Sequence, residues 1–185
     1  MRKVIEEASA DYHRHSIRMA GHDYAQGGVY FVTVCAKDRK CVFGEVKGGI
    51  FIPNDAGQIA RKCWLQIPEH YQNVRLHEFV VMPNHIHGII ELVGANYYSP
   101  DDTGQIIFRA NNNSPLRACG TSGTLGAIVR GFKIGTVKMI SGPSLWQRNY
   151  YEHIIRSSDD YHRIADYVVT NPLRWVEDCY HPQNI

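Results

Sequence analysis

Hydrophobic and polar positions along the chain fall into blocks of two periods, and the blocks follow one another in a definite order. Residues 1–27 are polar and rich in basic residues and histidine, and read as an arm with no regular period. GVYFVTVCA, from Gly28 to Ala36, is a β-branched and aromatic run bounded by glycine and by KDRK, which predicts a buried strand. CVFGEVKGGIFIPN places Gly48-Gly49 between two apolar pieces, a hairpin signal. Asn54 and Asp55 can cap the segment that follows, where Ile59, Cys63 and Ile67 recur at the spacing of a helix face, with Pro68 at the end. NVRLHEFVVM predicts a second strand, Pro83-Asn84 a tight turn, and HIHGIIELV a third strand. Residues 94–121 are rich in Asn, Gly, Ser, Pro and Asp and read as a long surface insertion.

Helical periodicity returns in SGTLGAIVRGFKIGTVKMISG. Leu125, Ile128, Val129, Phe132, Thr136 and Met139 form one stripe, with Arg130 and Lys133 beside or opposite it. SLWQRNYYEHII predicts a fourth strand. SSDDYHRIADYVVTN predicts a last helix, with Ser157 and Asp160 as a capping pair and Pro172 as its stop. The order β, hairpin, α, β, β, α, β, α predicts a ferredoxin-like α/β sandwich. Its antiparallel sheet would have four to five strands, with helices on one face and a catalytic C-terminal helix. The domain would span 28–175, between the arm at 1–27 and a tail at 176–185.

Composition adds exclusions. A chain of 185 residues with 44% hydrophobic and 21% charged positions fits one globular domain. A net charge of +2 does not by itself announce a nucleic-acid partner. Five cysteines, with no CxxC pair, argue against a disulfide framework or a cysteine-based zinc site. With no secretory h-region and no run long enough to span a bilayer, the expected setting is cytoplasmic, away from membranes.

The chemistry concentrates in MPNHIHGII. On a strand, alternate side chains share a face, so His85 and His87 point one way and Ile86 the other. Their backbones lie roughly 7 Å apart, near enough for both rings to meet one cation. Two polar rings on an otherwise apolar strand need partners, although a lone strand histidine is usually only hydrogen-bonded. The last helix offers them. Tyr161, Ile164, Ala165 and Val168 form its apolar face, Tyr167 lies at the edge, and Asn171 stacks one turn beyond Tyr167. If this helix covers the histidine face, His85, His87 and Asn171 can bind one ion, and an oxygen ligand widens the choice to Mg²⁺ or Mn²⁺. A phenol is a weak nucleophile at neutral pH, but a polarised phosphoryl group beside it opens a route to a phosphotyrosine and a free 3′-OH. Tyr150 and Tyr151 are rivals without an amide one helical turn away.

HIH matches the HUH motif of the single-tyrosine transposases. GVYFVTVCAKDRKCVFG, FVVMPNHIHGII, TLGAIVRGFK, LWQRNYYEHIIR and YVVTNPLRW further resemble the transposases associated with repetitive extragenic palindromes (REP elements). The resemblance runs from about residue 16 to 175. It implies Tyr167 as nucleophile, His85, His87 and Asn171 as ligands of Mg²⁺ or Mn²⁺, and hairpin-bearing single-stranded DNA as partner. A homodimer is compatible with it. Asn171 followed by Pro172 matches the palindrome-associated branch, where the insertion-sequence branch has glutamine. Arg14, Arg18, Arg130, Lys133 and Arg148 are the candidate phosphate contacts. Trp146, Tyr150 and Tyr151 can stack bases or fill core. The expected activity is metal-dependent nicking and strand transfer through a 5′-phosphotyrosine. The alternatives are a non-catalytic hairpin-binding protein, or a small metal hydrolase using the two histidines with Glu91, which alternation puts on the same face.

Overall fold

The computed structural model of the chain describes residues 27–93, 123–141 and 145–184. The arm with Arg14 and Arg18, and the insertion at 94–121, lie outside the described residues.

Strand β1 (Gly28–Cys35) leads through a short 3₁₀ turn to the hairpin of β2 (Gly44–Lys47) and β3 (Ile50–Pro53). Gly48 and Gly49 stand at φ 58° and 77°, the backbone that a two-residue hairpin turn requires. Asn54 then caps α1 (Asp55–Leu65), its Oδ1 accepting from Gly57 N at 3.0 Å. The helix does not run on to Ile67 as its spacing predicts. It ends before Pro68, and a single turn, α2 (Ile67–His70), starts with that proline at its N-terminus, where the missing N–H costs nothing. Next come β4 (Val74–Val81), β5 (His85–Leu92), α3 (Leu125–Ile140), β6 (Tyr151–Ile155) and α4 (Ser158–Thr170).

Among the described residues, four strands form one sheet in the order β4-β5-β1-β6, all neighbours antiparallel, while β2 and β3 pair apart from it. β1 and β4 flank β5, and β5 and β6 flank β1, which is the split arrangement of a ferredoxin-like sandwich. The fourth strand is shorter than its apolar run predicts. Trp146 makes only an isolated bridge to Ala36, and regular pairing starts at Tyr151.

The two faces of the sheet are covered differently. Tyr30, Val32, Val34, Ile86, Ile90 and Leu92 pack with residues of α1 and α3, around Trp64 and Phe132. Val29, Phe31, Ile89 and Ile155 meet Ile164 and Val168 of α4 on the opposite face. α4 therefore covers the face that carries His85 and His87. The stripe on α3 is buried as its period predicts, except that Met139 is 44% exposed at the frayed end.

Gly88 explains how β5 can pass so close beneath α1. A Cβ there would lie 2.3 Å from the Trp64 ring. Gly88→Ala is expected to cost about 1–3 kcal/mol through overpacking, seen as a lower denaturant midpoint with an unchanged slope.

Candidate active site

His85 and His87 are 0% and 1% exposed in the middle of the sheet, and each ring is oriented by a neighbour. Asn84 donates from Nδ2 to the carbonyls of Arg39 (3.0 Å) and Tyr180 (2.7 Å). That fixes its amide, so its Oδ1 must accept from His85 Nδ1, 2.8 Å away. The proton of His85 is thus on Nδ1 and the Nε2 lone pair is bare. Thr33 lies opposite His87 in the β1–β5 register, and its Oγ1 is 2.8 Å from His87 Nδ1. The other nitrogen of His87, Nε2, is 3.2 Å from the phenol oxygen of Tyr167.

α4 brings Tyr167 here because Ser157 starts the helix, accepting from Asp160 N at 3.1 Å, and because Ile164 and Val168 anchor it to the sheet. Pro172 does not stop the chain from turning. α4 ends at Thr170 and passes straight into a 3₁₀ segment, Asn171–Glu177, with Pro172 in its first turn. This tighter winding buries Asn171 and returns Asp178 to the histidines.

Asp178 is the residue that sequence reasoning missed. It is 7% exposed, and its Oδ2 lies 3.9 Å from His85 Nε2. Asn171 Nδ2 donates to the same Oδ2 at 2.8 Å, and Tyr180 N donates to Oδ1 at 2.7 Å. The only signal was the aromatic run Trp175, Tyr180 and His181, which marks a tail that packs. The rings of Trp175 and Tyr180 sit 6.0 Å and 4.6 Å from that of His85.

Burial lowers the pKa of both histidines, well below the usual 6.5 for His85 and down to about 3 for His87. The neighbouring ring of His87 and the charge of Arg39 add to the effect on His85. Both rings are therefore neutral at pH 7, and His85 and Asp178 are not an ion pair. Instead a bare nitrogen lone pair faces a carboxylate. His85 Nε2 and Asn171 Oδ1 are buried without a hydrogen-bond partner. Buried acceptors left without a donor are costly, and a cation within their reach relieves that cost. Among the described residues, His85, His87 and Asp178 form the one acid–histidine group of this kind, with ligand atoms within 4.8 Å of one another. An ion with ligands at ~2.1 Å needs them ~3–4 Å apart, a small contraction. The residues present fit a divalent metal.

The same burial predicts acid sensitivity. Between pH 6.5 and about 3 the unfolded chain binds a proton that folded His87 refuses, so stability falls as pH falls through that window. At pH 5 this single group costs about 2 kcal/mol. The melting temperature is expected to drop between pH 7 and pH 5, and His87→Gln to flatten the drop.

Tyr167 is half-buried. Burial first, and then the charge of Asp178, hold its pKa above the ordinary tyrosine value. It is a neutral phenol at rest. Of the rivals, Tyr151 is 55% exposed on β6, paired with Thr33 and edge-on to Phe31 at 6.5 Å, with no ring contact to either histidine among the described residues, and Tyr150 packs against the core on the other face of the sheet. Tyr161 donates to Glu78 at 2.8 Å and lies 3.0 Å from His77 Nδ1. Glu91 shares the histidine face but is engaged by His77 Nε2 at 3.1 Å, away from the pair.

The predicted DNA contacts scatter. Arg130 and Arg148 are exposed, and Arg130 lies on α3, across the sheet from Tyr167. Lys133 is turned inward. Its Nζ donates to the carbonyls of Gln147 (2.8 Å), Arg148 (3.5 Å) and Asn149 (2.9 Å), and burial lowers its pKa to about 8. In this structure Lys133 braces the approach to β6. No described helix is long and apolar enough to cross a membrane.

No protein-family model matches the chain. It is 40% identical over 176 residues to an uncharacterized protein of Haemophilus influenzae, covering 90% of this chain and 92% of that one. Over 156 residues it is 23% identical to the REP-associated tyrosine transposase of Escherichia coli, covering 83% and 73% of the two chains. Its fold matches the solved structure of a REP-associated tyrosine transposase bound to a REP hairpin, with a TM-score of 0.56 and 19% identity, over 81% of this chain and 69% of that one.

Proposed function

We propose, for a chain that belongs to the REP-associated tyrosine transposase family, that it cuts and rejoins hairpin-forming single-stranded DNA through Tyr167. The supporting observation is the cluster of buried, partnerless acceptors at His85 Nε2 and Asn171 Oδ1, beside Asp178 and in reach of the Tyr167 phenol. His85, His87 and Asp178 would hold Mg²⁺ or Mn²⁺, with Asn171 Oδ1 as a further oxygen ligand. A divalent ion there supplies a positive charge that polarises a phosphoryl oxygen.

The chain's own groups do the rest. Asn84 fixes the tautomer of His85, so its Nε2 lone pair points into the site, and Thr33 holds the ring of His87 with its Nε2 turned the same way. His87 Nε2 is at present within hydrogen-bond reach of the Tyr167 hydroxyl, and one lone pair cannot serve both a proton and an ion. Were His87 Nε2 to hold an ion, the Tyr167 hydroxyl would have to turn to another acceptor. Tyr167 Oη forms the bond to phosphorus and the P–O3′ bond breaks; the phenolic proton passes to water and O3′ takes one up from water, leaving as a hydroxyl. The strand downstream stays attached through a 5′-phosphotyrosine. Attack by another 3′-OH reverses the step and rejoins strands, with the phosphodiester energy conserved.

The test is to incubate the protein with Mn²⁺ or Mg²⁺ and an end-labelled single strand that carries a hairpin. A metal-dependent protein–DNA band that survives denaturing electrophoresis supports this reading. Nicking without such a band would identify a metal hydrolase, and binding without nicking a non-catalytic hairpin binder.

A further inference from the structure

We infer that the outer ridge of α4 and its 3₁₀ extension, from Arg163 past Tyr167 to Arg174, is the track for the phosphate backbone of the DNA strand being cut. The inference rests on Tyr167 being the nucleophile. A groove of about 480 Å³ opens along this ridge, lined by Arg163, Asp166, Tyr167, Thr170 and Arg174. Tyr167 forms its wall and reaches His87 with its hydroxyl, so a phosphodiester lying in the groove lies beside the attacking oxygen.

The ridge follows from helical spacing. At 100° per residue in α4, positions 163, 167 and 170 fall within roughly 60° of one another; at about 120° per residue in the 3₁₀ segment, Arg174 is turned roughly 60° beyond Tyr167 and still lines the same groove. Arg163 stands ~6 Å before Tyr167 along the axis, and Arg174 ~12 Å after it, allowing for the steeper 3₁₀ rise. Two guanidiniums thus bracket the phenol.

Both are available. The side chain of Arg163 is 70% exposed and pairs with Asp160 on its own helix, an exposed contact that contributes little. Arg174 is also exposed. Thr170 has already spent its hydroxyl on Asp166 O, at 2.6 Å. Asp166 sets the ligand class. Its carboxylate repels a phosphate but accepts from the exocyclic amine of a base. A free anion gains nothing from that mixture, whereas a strand that places phosphates at both ends and a base between them meets every group.

The experiment measures binding of a short unstructured fluorescent DNA strand to the Tyr167→Phe protein without metal, across a salt series. Arg163→Gln and Arg174→Gln are each expected to weaken binding several-fold at low salt. Each should also flatten the plot of log Kd against log salt by about 0.7, the share of one phosphate contact on a single strand. Arg174→Lys should restore the slope, and Arg61→Gln, an exposed position on α1 across the sheet, should leave binding as it was. Unchanged affinity and slope in the Arg163→Gln/Arg174→Gln double variant would overturn the track. Because no cleavage is read, loss of the slope without any covalent adduct in the wild type would leave the track standing and remove the proposed activity.

Discussion

Tyr167→Phe is expected to abolish the covalent protein–DNA band altogether, while Tyr150→Phe and Tyr151→Phe retain it. The phenol at position 167 touches a ring that the site needs for another purpose, and the two rivals do not. Tyr151 stands exposed on an edge strand, and Tyr150 faces the core on the far side of the sheet. The substitution removes one oxygen and keeps the ring in its edge-on contact with Phe31, at 6.1 Å between centroids. Leaving the buried His87 Nε2 without that partner costs about 1–3 kcal/mol, and a cooperative melt should persist. Denaturing electrophoresis and peptide mass mapping of the adduct decide the matter. An adduct mapped to Tyr150 or Tyr151 would mean that the reacting phosphate does not approach along α4.

Asp178→Asn should weaken Mn²⁺ binding by at least ~100-fold, since changes one shell further out already cost 10–100-fold. It should also remove the metal-induced rise in melting temperature, which for an intact site at a hundredfold excess over Kd corresponds to about 2.7 kcal/mol. Without metal the same variant is expected to be slightly more stable than the wild type. An amide at 178 can donate to His85 Nε2, which the carboxylate cannot, with Asn171 turning its own amide to match. Calorimetric titration with Mn²⁺ and melts with and without a chelator read both effects. Were Asp178 only an anchor for Asn171 and Tyr180, Mn²⁺ affinity would survive the change.

These two residues differ in how they could be read from the chain. Tyr167 was legible because two periodicities intersect on it: alternation on β5 puts both histidines on one face, and the 3.6-residue period of α4 puts the phenol at the edge of the stripe that covers that face. The central strands β1 and β5 were legible as apolar runs, while β4 and β6 interrupt theirs with Arg75, His77 and Glu78 and with Glu152 and His153. Asp178 had no period to lie on. It follows a proline that ends the α-helical pattern, and a 3₁₀ segment of seven residues leaves no repeating signature in sequence. Lys133 shows the converse case. Its place on α3 marks it as an exposed cation, but the carbonyls of residues 147–149 that capture it belong to an irregular approach to β6, which no local pattern announces. Arg163 lies in plain helical register with Tyr167, and Arg174 beyond the end of that register on the 3₁₀ segment. Neither carries a signal in sequence, because a cation on a polar face is the ordinary condition of a surface helix.

The ligand set is divided between two kinds of backbone. His85 and His87 ride on a strand hydrogen-bonded on both edges and covered on both faces, where opening demands something near global unfolding. Asp178 follows a short 3₁₀ segment that leaves Leu173 and Val176 72% and 68% exposed and is anchored through Asn171, Trp175 and Tyr180, so fewer buried contacts oppose its opening than oppose that of β5. An ion at the proposed site would then be held by two ligands on a well-anchored strand and one on a more exposed segment.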